Sequence, residues 1–88
     1  MRDFSEFGSS QSAQSRLHRG IARIERTFEE AILEGEADAY LFSCALAEGG
    51  KQAFKQVLQS YRDRRWRIKI DVDYKYNRVN SISIERPR

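Results

Sequence analysis

The 88-residue sequence predicts an α+β fold in which three helices are followed by a C-terminal antiparallel β-hairpin. Two observations predict this order. Residues 17–32 and 54–61 carry apolar side chains every three or four positions, which is typical of amphipathic helices. From residue 66 the apolar period changes to two, which is typical of half-buried strands. The length suits one domain, which we place at residues 13–86.

The first helix is predicted over residues 12–34. Its apolar stripe consists of Leu17, Ile21, Ile24, Phe28 and Ile32. Gly35 follows directly and can adopt the left-handed conformation that ends many helices. Residues 1–12 are rich in serine and have few apolar side chains, so they are predicted to form a mobile N-terminal tail.

The second helix is predicted over residues 36–48 and ends before a pair of glycines. Because apolar side chains surround it almost completely, we expect this helix to be buried in the middle of the core, with both Leu41 and Cys44 inaccessible. The third helix is predicted over residues 51–64. Its inner face consists of Phe54, Val57, Leu58 and Tyr61.

Residues 66–76 alternate between apolar and charged side chains and are predicted to form a strand that residues 79–85 pair with. A two-residue loop at 77–78 would place Ile82 on the charged face. The alternation therefore predicts a loop of three or more residues, or a β-bulge. The long strand leaves an open edge, through which we expect a homodimer.

The composition argues against a membrane protein or a secreted one. No apolar stretch approaches the roughly 18 residues of a membrane span, and none follows the N-terminus as in a signal peptide. Cys44 is the only cysteine, which excludes an internal disulfide and fits a reducing compartment. These features predict a soluble cytoplasmic protein.

The sequence contains few residues suited to catalysis. His18 is the only histidine, so no zinc site can be built, and we expect it to be solvated. Asp71, Asp73 and Lys75 resemble the acid-x-lysine half of the restriction-endonuclease-like family, which implies Mg²⁺-dependent nuclease chemistry. The flanking sheet of that family is not predicted here. We therefore expect no enzyme activity, no metal and no cofactor.

The net charge of +3 hides a division between two parts of the chain. Residues 1–50 carry five arginines and nine acids, a net charge of −4. Residues 51–88 carry eleven lysines or arginines and four acids, a net charge of +7. This division favours an anionic partner for the second part. Alternatively, the acids of the first helix pair with the basic segment inside the fold or across a dimer.

Arginines form two candidate binding surfaces, one on the first helix opposite its apolar stripe and one around Trp66. The predicted nucleic-acid or partner-binding residues are Arg16, Arg19, Arg23, Arg26, Arg62, Arg64, Arg65, Arg67 and Lys69. Arginine binds phosphate oxygens bidentately. Trp66 could stack on a base, but its place on the inward face of the strand favours burial.

Together these features predict a small non-catalytic binding module that regulates or inhibits its partner. Nucleic acid or a ribonucleoprotein is the favoured partner. The alternative is a protein–protein adaptor or inhibitor, of the compact kind that phages and mobile elements encode, without nucleic-acid contact. Salt distinguishes the two, because phosphate contacts weaken steeply as salt rises whereas apolar contacts do not.

Overall fold

The computed structural model describes the backbone of residues 3–88 and the side chains of residues 15–88. The elements are α1 (Asp3–Glu34), α2 (Ala39–Gly49), α3 (Lys51–Asp63), β1 (Arg67–Asp73) and β2 (Arg78–Glu85). The two strands form an antiparallel hairpin, so the predicted fold class is confirmed. None of the described helices is both long and apolar enough to cross a membrane.

α1 begins at Asp3 rather than at residue 12. Side chains 1–14 lie outside the described part of the structure, so the mobility of the N-terminal tail stays a prediction. α1 ends at Glu34, as the sequence predicts, and Gly35 follows with a φ of 73°. A positive φ strains any residue that carries a Cβ, which is why glycine suits this helix end.

Aromatic rings from all three helices meet in the core. Phe28 of α1 packs edge-on against Phe42 of α2, with ring centroids 4.8 Å apart. The same ring stacks on Tyr61 of α3 at 4.9 Å. All three side chains are buried. Each fully buried aromatic side chain contributes roughly 1.5–3 kcal/mol to the stability of the fold. Because the ring of Phe28 contacts rings of both other helices, it links the three helices directly.

α2 is buried on one face only, and the predicted burial on all sides is wrong. Its buried residues are Phe42, Ala45 and Leu46. Tyr40 is 72% exposed, Leu41 is 47% exposed, and Cys44 is only half-buried. The physical reason is that α2 packs mainly against α1 and β2. Among the described side chains, no further layer covers the remaining side of the helix.

The hairpin contains both features that the alternation predicted. Residues 74–77 form the turn, and a β-bulge leaves Asn80 without a partner in the ladder. The bulge places Ile82 opposite Ile70 and Ile84 opposite the next inward-facing residue of β1. The apolar side chains of both strands therefore share one face, because the extra residue restores the alternation that a simple turn would have shifted.

Side chains from the helices occupy one point on each edge of the hairpin. On β2, the backbone N–H of Val79 donates to Ser43 Oγ at 2.8 Å. On β1, Arg62 Nη2 donates to the carbonyl oxygen of Ile68 at 2.9 Å. Covering an edge in this way limits its pairing with other chains. The hairpin therefore has less open edge than the sequence pattern predicts.

Candidate nucleic-acid interface

Three arginines of α1 line a shallow groove where α1 meets the start of α3. Arg16, Arg19 and Arg23 form one side of the groove, and residues 47–50 form the other. α3 begins directly after Gly50 and has no side-chain cap. The first N–H groups of a helix lack partners within the helix and favour anions. The groove thus combines guanidinium groups with a helix N-terminus.

Two glycines bring these elements together. A Cβ at Gly20 would collide with the carbonyl oxygen of Gly49, and a Cβ at Gly49 would lie 2.7 Å from Cδ1 of Ile24. Any larger residue at either position would therefore push the end of α2 away from α1. The close approach is what places the arginines of α1 beside the start of α3.

Arg23 is already bound within the fold. Its Nε donates to the carboxylate of Glu48 at 2.6 Å, and its Nη1 donates to Thr27 Oγ1 at 3.1 Å. Among the side chains that the structure describes, this is the one ion pair within 4.0 Å. Little of the charge of Arg23 is therefore left for a ligand. Arg26 is exposed but does not line the groove.

The second predicted surface surrounds the turn between α3 and β1. Its exposed cations are Arg62, Arg64, Arg65, Arg67 and Lys69. None of them has a described carboxylate within 4.0 Å. Arg64 lies over the ring of Tyr61, with Cζ 4.4 Å from the ring centroid. This contact positions the guanidinium group of Arg64, and the hydrogen bond to β1 positions that of Arg62. Both groups keep other N–H donors that face solvent.

Arg65 has a strained backbone, with a φ of 74°. The left-handed conformation costs residues other than glycine on the order of 1 kcal/mol. The N–H of Arg65 donates to the carbonyl of Arg62 at 3.0 Å, and that of Trp66 to the carbonyl of Tyr61 at 3.1 Å. This is the pattern of a Schellman motif. An arginine therefore occupies a helix-ending position that glycine usually fills, which adds a cation and sacrifices stability.

The aromatic residues near this turn belong to the core. Trp66 is half-buried and packs edge-on against Tyr61, with centroids 5.8 Å apart, so its contacts favour burial over base stacking. Burial raises the pKa of Tyr61, while the nearby Arg64 acts in the opposite direction. Because the net change is upward, Tyr61 stays neutral at pH 7 and adds no negative charge beside the arginines.

The acids of α1 compensate the basic turn only in part. Glu25 and Glu29 are close enough to Tyr61 to act on its pKa, and both raise it. Neither carboxylate lies within 4.0 Å of Arg64 or of any other described cation. The predicted alternative, in which the acidic and basic segments neutralise each other inside the fold, is therefore not realised as ion pairs among the described side chains.

Two exposed lysines of α3 were absent from the predicted site and lie in line with Arg62, which was part of it. Lys51, Lys55 and Arg62 lie within about 40° of one another around the helix axis, since an α-helix has 3.6 residues per turn. The Nζ atoms of the two lysines lie 5.8 and 5.0 Å from the centroid of the Tyr74 ring, which packs against Phe54. Burial raises the pKa of Tyr74 as well. The helical spacing was visible in the sequence, but the position of Tyr74 depends on how the hairpin packs.

The two arginine surfaces lie near opposite ends of α3, and Lys51 and Lys55 are exposed on that helix. The α1 groove lies at the N-terminal end of α3 and the basic turn at its C-terminal end. These ends are about 20 Å apart, because α3 has 13 residues. We use the term basic track for five exposed cations of the groove and of α3. It consists of Arg16, Arg19, Lys51, Lys55 and Arg62.

The described side chains include no group of three or more His, Cys, Asp or Glu placed to hold a metal ion. His18 is exposed, as predicted. Comparison of the chain with protein-family models, with curated proteins and with solved structures finds no match.

Proposed function

We propose that this protein is a non-catalytic binding module that holds the backbone of a nucleic acid along the basic track. The observation that carries the proposal is the line of exposed cations on α3 that connects the two arginine surfaces. Lysines and arginines bind phosphates by displacing condensed counterions, which supplies most of the affinity of sequence-independent binding. A continuous line of cations suits a continuous line of phosphates.

The spacing of the cations supports this proposal. Lys51 and Lys55 are separated by about 6 Å along the helix, and Lys55 and Arg62 by about 10 Å. A track about 20 Å long spans roughly six phosphates of one strand of a duplex. The contacts of both lysines with Tyr74 position their ammonium groups, so less side-chain entropy is lost when a phosphate binds.

The same geometry favours phosphate contacts over base recognition. Trp66, the aromatic residue within the predicted arginine surface, packs on the core instead. Contacts to phosphate fix the position of a protein on nucleic acid but do not read its sequence. We therefore expect similar affinities for nucleic acids of different sequence, and a regulatory effect that comes from occupying or masking the backbone.

A protein–protein adaptor is the second candidate. Leu33 on α1 is 85% exposed, and Tyr40 and Leu41 are neighbouring exposed apolar residues on α2. Leu41 also borders a groove with four acids, Glu30, Glu34, Glu36 and Asp38. Exposed apolar groups next to charges are typical of protein-binding surfaces. This surface favours a cationic protein segment and would need no nucleic acid.

Titration of labelled DNA and RNA at several salt concentrations tests the proposal. The variant Lys51→Ala with Lys55→Ala removes two cations from the track, and alanine is well tolerated in a helix. We expect the slope of log affinity against log salt to flatten by about 1.4–1.8, since each phosphate contact contributes about 0.7–0.9. Fluorescence anisotropy measures this slope, and circular dichroism checks that the fold is kept.

The matched control is Arg86→Ala with Arg88→Ala, which removes the same charge outside the track. The control should keep most of the original slope. An equal loss in both variants would mean that net charge, rather than the track, determines binding. Unmeasurable binding to single- and double-stranded DNA and RNA at low salt would overturn the nucleic-acid proposal and favour the adaptor.

A further inference from the structure

We propose that two copies of this chain pair through the outer edge of β2, antiparallel and centred on Ser83, to form a four-stranded sheet. The proposal comes from the backbone hydrogen bonding of the hairpin and is independent of nucleic-acid binding. A two-stranded hairpin is marginal in water and gains stability from further strands.

The free backbone groups follow from the alternation of an antiparallel ladder. Every second pair of residues directs its N–H and C=O groups away from the other strand. The N–H of Val79 donates to Ser43, and the carbonyl of Ile68 accepts from an α3 guanidinium, so both residues face outward. By the register of the hairpin, Ile82 and Ile84 belong to the same set. Their four backbone groups point to the outer edge of β2, where no described group binds them.

This part of the edge borders an open apolar groove. The groove lies between β2, the end of α1 and the segment that leads to α2. Its apolar lining includes Ala31, Ile32, Ala37, Trp66, Ile82 and Ile84. Most of these side chains are only half-buried in the single chain. An added strand would remove them further from water, which is favourable in proportion to the apolar area covered.

A second copy of β2 fits this edge in a symmetric register. When Ser83 lies opposite Ser83 of the second copy, Ile82 lies opposite Ile84 of the second copy, and the reverse pair also forms. Each of these pairs exchanges two backbone hydrogen bonds, so all four outward groups are used. Ser81 lies opposite Glu85 of the second copy. Between Ser81 and Glu85 no like charges face each other in this register, and such pairs would be destabilising.

The same register accounts for where the pairing would end. The bulge at Asn80 turns Val79 to the outer edge, and the N–H of Val79 already donates to Ser43. Beyond Val79, Arg78 lies opposite Arg88 of the second copy, and like charges in facing positions are destabilising. The ladder is therefore confined to residues 81–85.

Charge complementarity also favours a second copy. Ser43 contacts both Val79 and the carbonyl of Ala39, so the first turn of α2 lies beside this end of β2. Asp38 caps that turn and is exposed. In this register the C-terminal residues of the second copy, with Arg86 opposite Asn80, run toward the end of β2 that lies beside this turn. The acidic segment before α2 thus meets the basic C-terminal end of the second copy, in agreement with the division of charge along the chain.

The outer edge of β1 is less suited to symmetric pairing. A register centred on Lys69 would place two lysines opposite each other. A register centred on Ile70 needs the carbonyl of Ile68, which already accepts from Arg62. Between Ser81 and Glu85, the edge of β2 has no facing like charges in the symmetric register and no outward backbone group that another described group already binds.

Cysteine cross-linking tests the register. In a Cys44→Ala background, Ser83→Cys should give a disulfide-linked dimer on oxidation, because the two Cα atoms would lie about 4.5 Å apart. The matched control is Ser81→Cys, on the same exposed face. Its two copies would lie about 13 Å apart along the strands and should not cross-link. Non-reducing gels report both results.

Sedimentation equilibrium across the micromolar range tests the interface without cross-linking. Ser83→Lys places like charges opposite each other and should raise the dimer Kd by up to about fivefold. Ser81→Lys adds the same charge opposite Glu85 of the second copy and should leave the Kd unchanged or lower it. A strictly monomeric chain, or cross-linking of Ser81→Cys as efficient as that of Ser83→Cys, would overturn the proposal. Neither readout involves nucleic acid, so it can fail independently of the proposed function.

Discussion

α2 and α3 are consecutive helices of similar length that the fold buries in different ways. α3 places five side chains in the core and turns its lysines and glutamines to solvent. α2 contains a larger share of apolar residues, yet it buries three side chains and leaves Tyr40 and Leu41 exposed. The burial of a helix in a small domain therefore depends on how many neighbours surround it, and less on how apolar it is.

The two helices also differ in what fixes their rotation. The charged residues of α3 identify the side that faces solvent, so the amphipathic pattern alone orients the helix. α2 has few such residues. Its rotation is fixed by local contacts instead: the cap at Asp38, the close approach of Gly49 to α1, and the hydrogen bond between Ser43 and Val79. Three neighbouring residues of α2 can test this account.

Phe42→Ala should have the largest effect. The side chain is 1% exposed and packs edge-on against Phe28. Removing it should lower the free energy of unfolding by about 3–5 kcal/mol, because the lost burial adds to the cost of the cavity. Urea denaturation measures the change. Phe54→Ala on α3 is the matched control and should cost about as much. A loss below about 1 kcal/mol for Phe42→Ala would show that α2 does not take part in the core.

Where polar and apolar residues alternate, the fold could be predicted from the sequence. The inner face of α3 was predicted from its period, and the hairpin bulge from the position that Ile82 would otherwise take on the charged face. The outer side of α2 could not be predicted in this way, because its exposure results from the lack of a covering layer. Gly35 marked the end of α1, whereas the segment before residue 12 carries no pattern that marks a beginning.

The sequence predicted which residues form the candidate site, but it could not predict how they are arranged in space. The arginines were identified by type and clustering. Their separation to opposite ends of α3 depends on the contact between Gly20 and Gly49, residues far apart in the chain. Likewise, the charge of Arg23 is taken up by Glu48, 25 positions away. Side-chain pairings of this kind follow from tertiary packing, which a local pattern does not contain.

Ser43→Ala should have an intermediate effect. The hydroxyl accepts from the N–H of Val79 and donates to the carbonyl of Ala39. Its removal leaves a partly buried backbone N–H without this partner, which costs about 1–3 kcal/mol. Urea denaturation should show this loss, and the amide of Val79 should exchange faster with deuterium. Ser81→Ala, at an exposed position of β2, is the control and should change neither quantity. Unchanged exchange at Val79 in Ser43→Ala would mean that Ser43 does not orient α2 on the hairpin.

Leu41→Ala should have the smallest effect, although the sequence pattern predicts a core leucine at this position. The side chain is 47% exposed, so its truncation removes little buried area and leaves no enclosed cavity. We expect a loss below about 1 kcal/mol in urea denaturation, against about 2–5 kcal/mol for the fully buried Leu46→Ala. A loss at Leu41 as large as that at Leu46 would contradict one-sided burial. If that loss appeared only at concentrations where the chain associates, a second copy or another protein would be the layer that covers α2, and its outer face would be an interface.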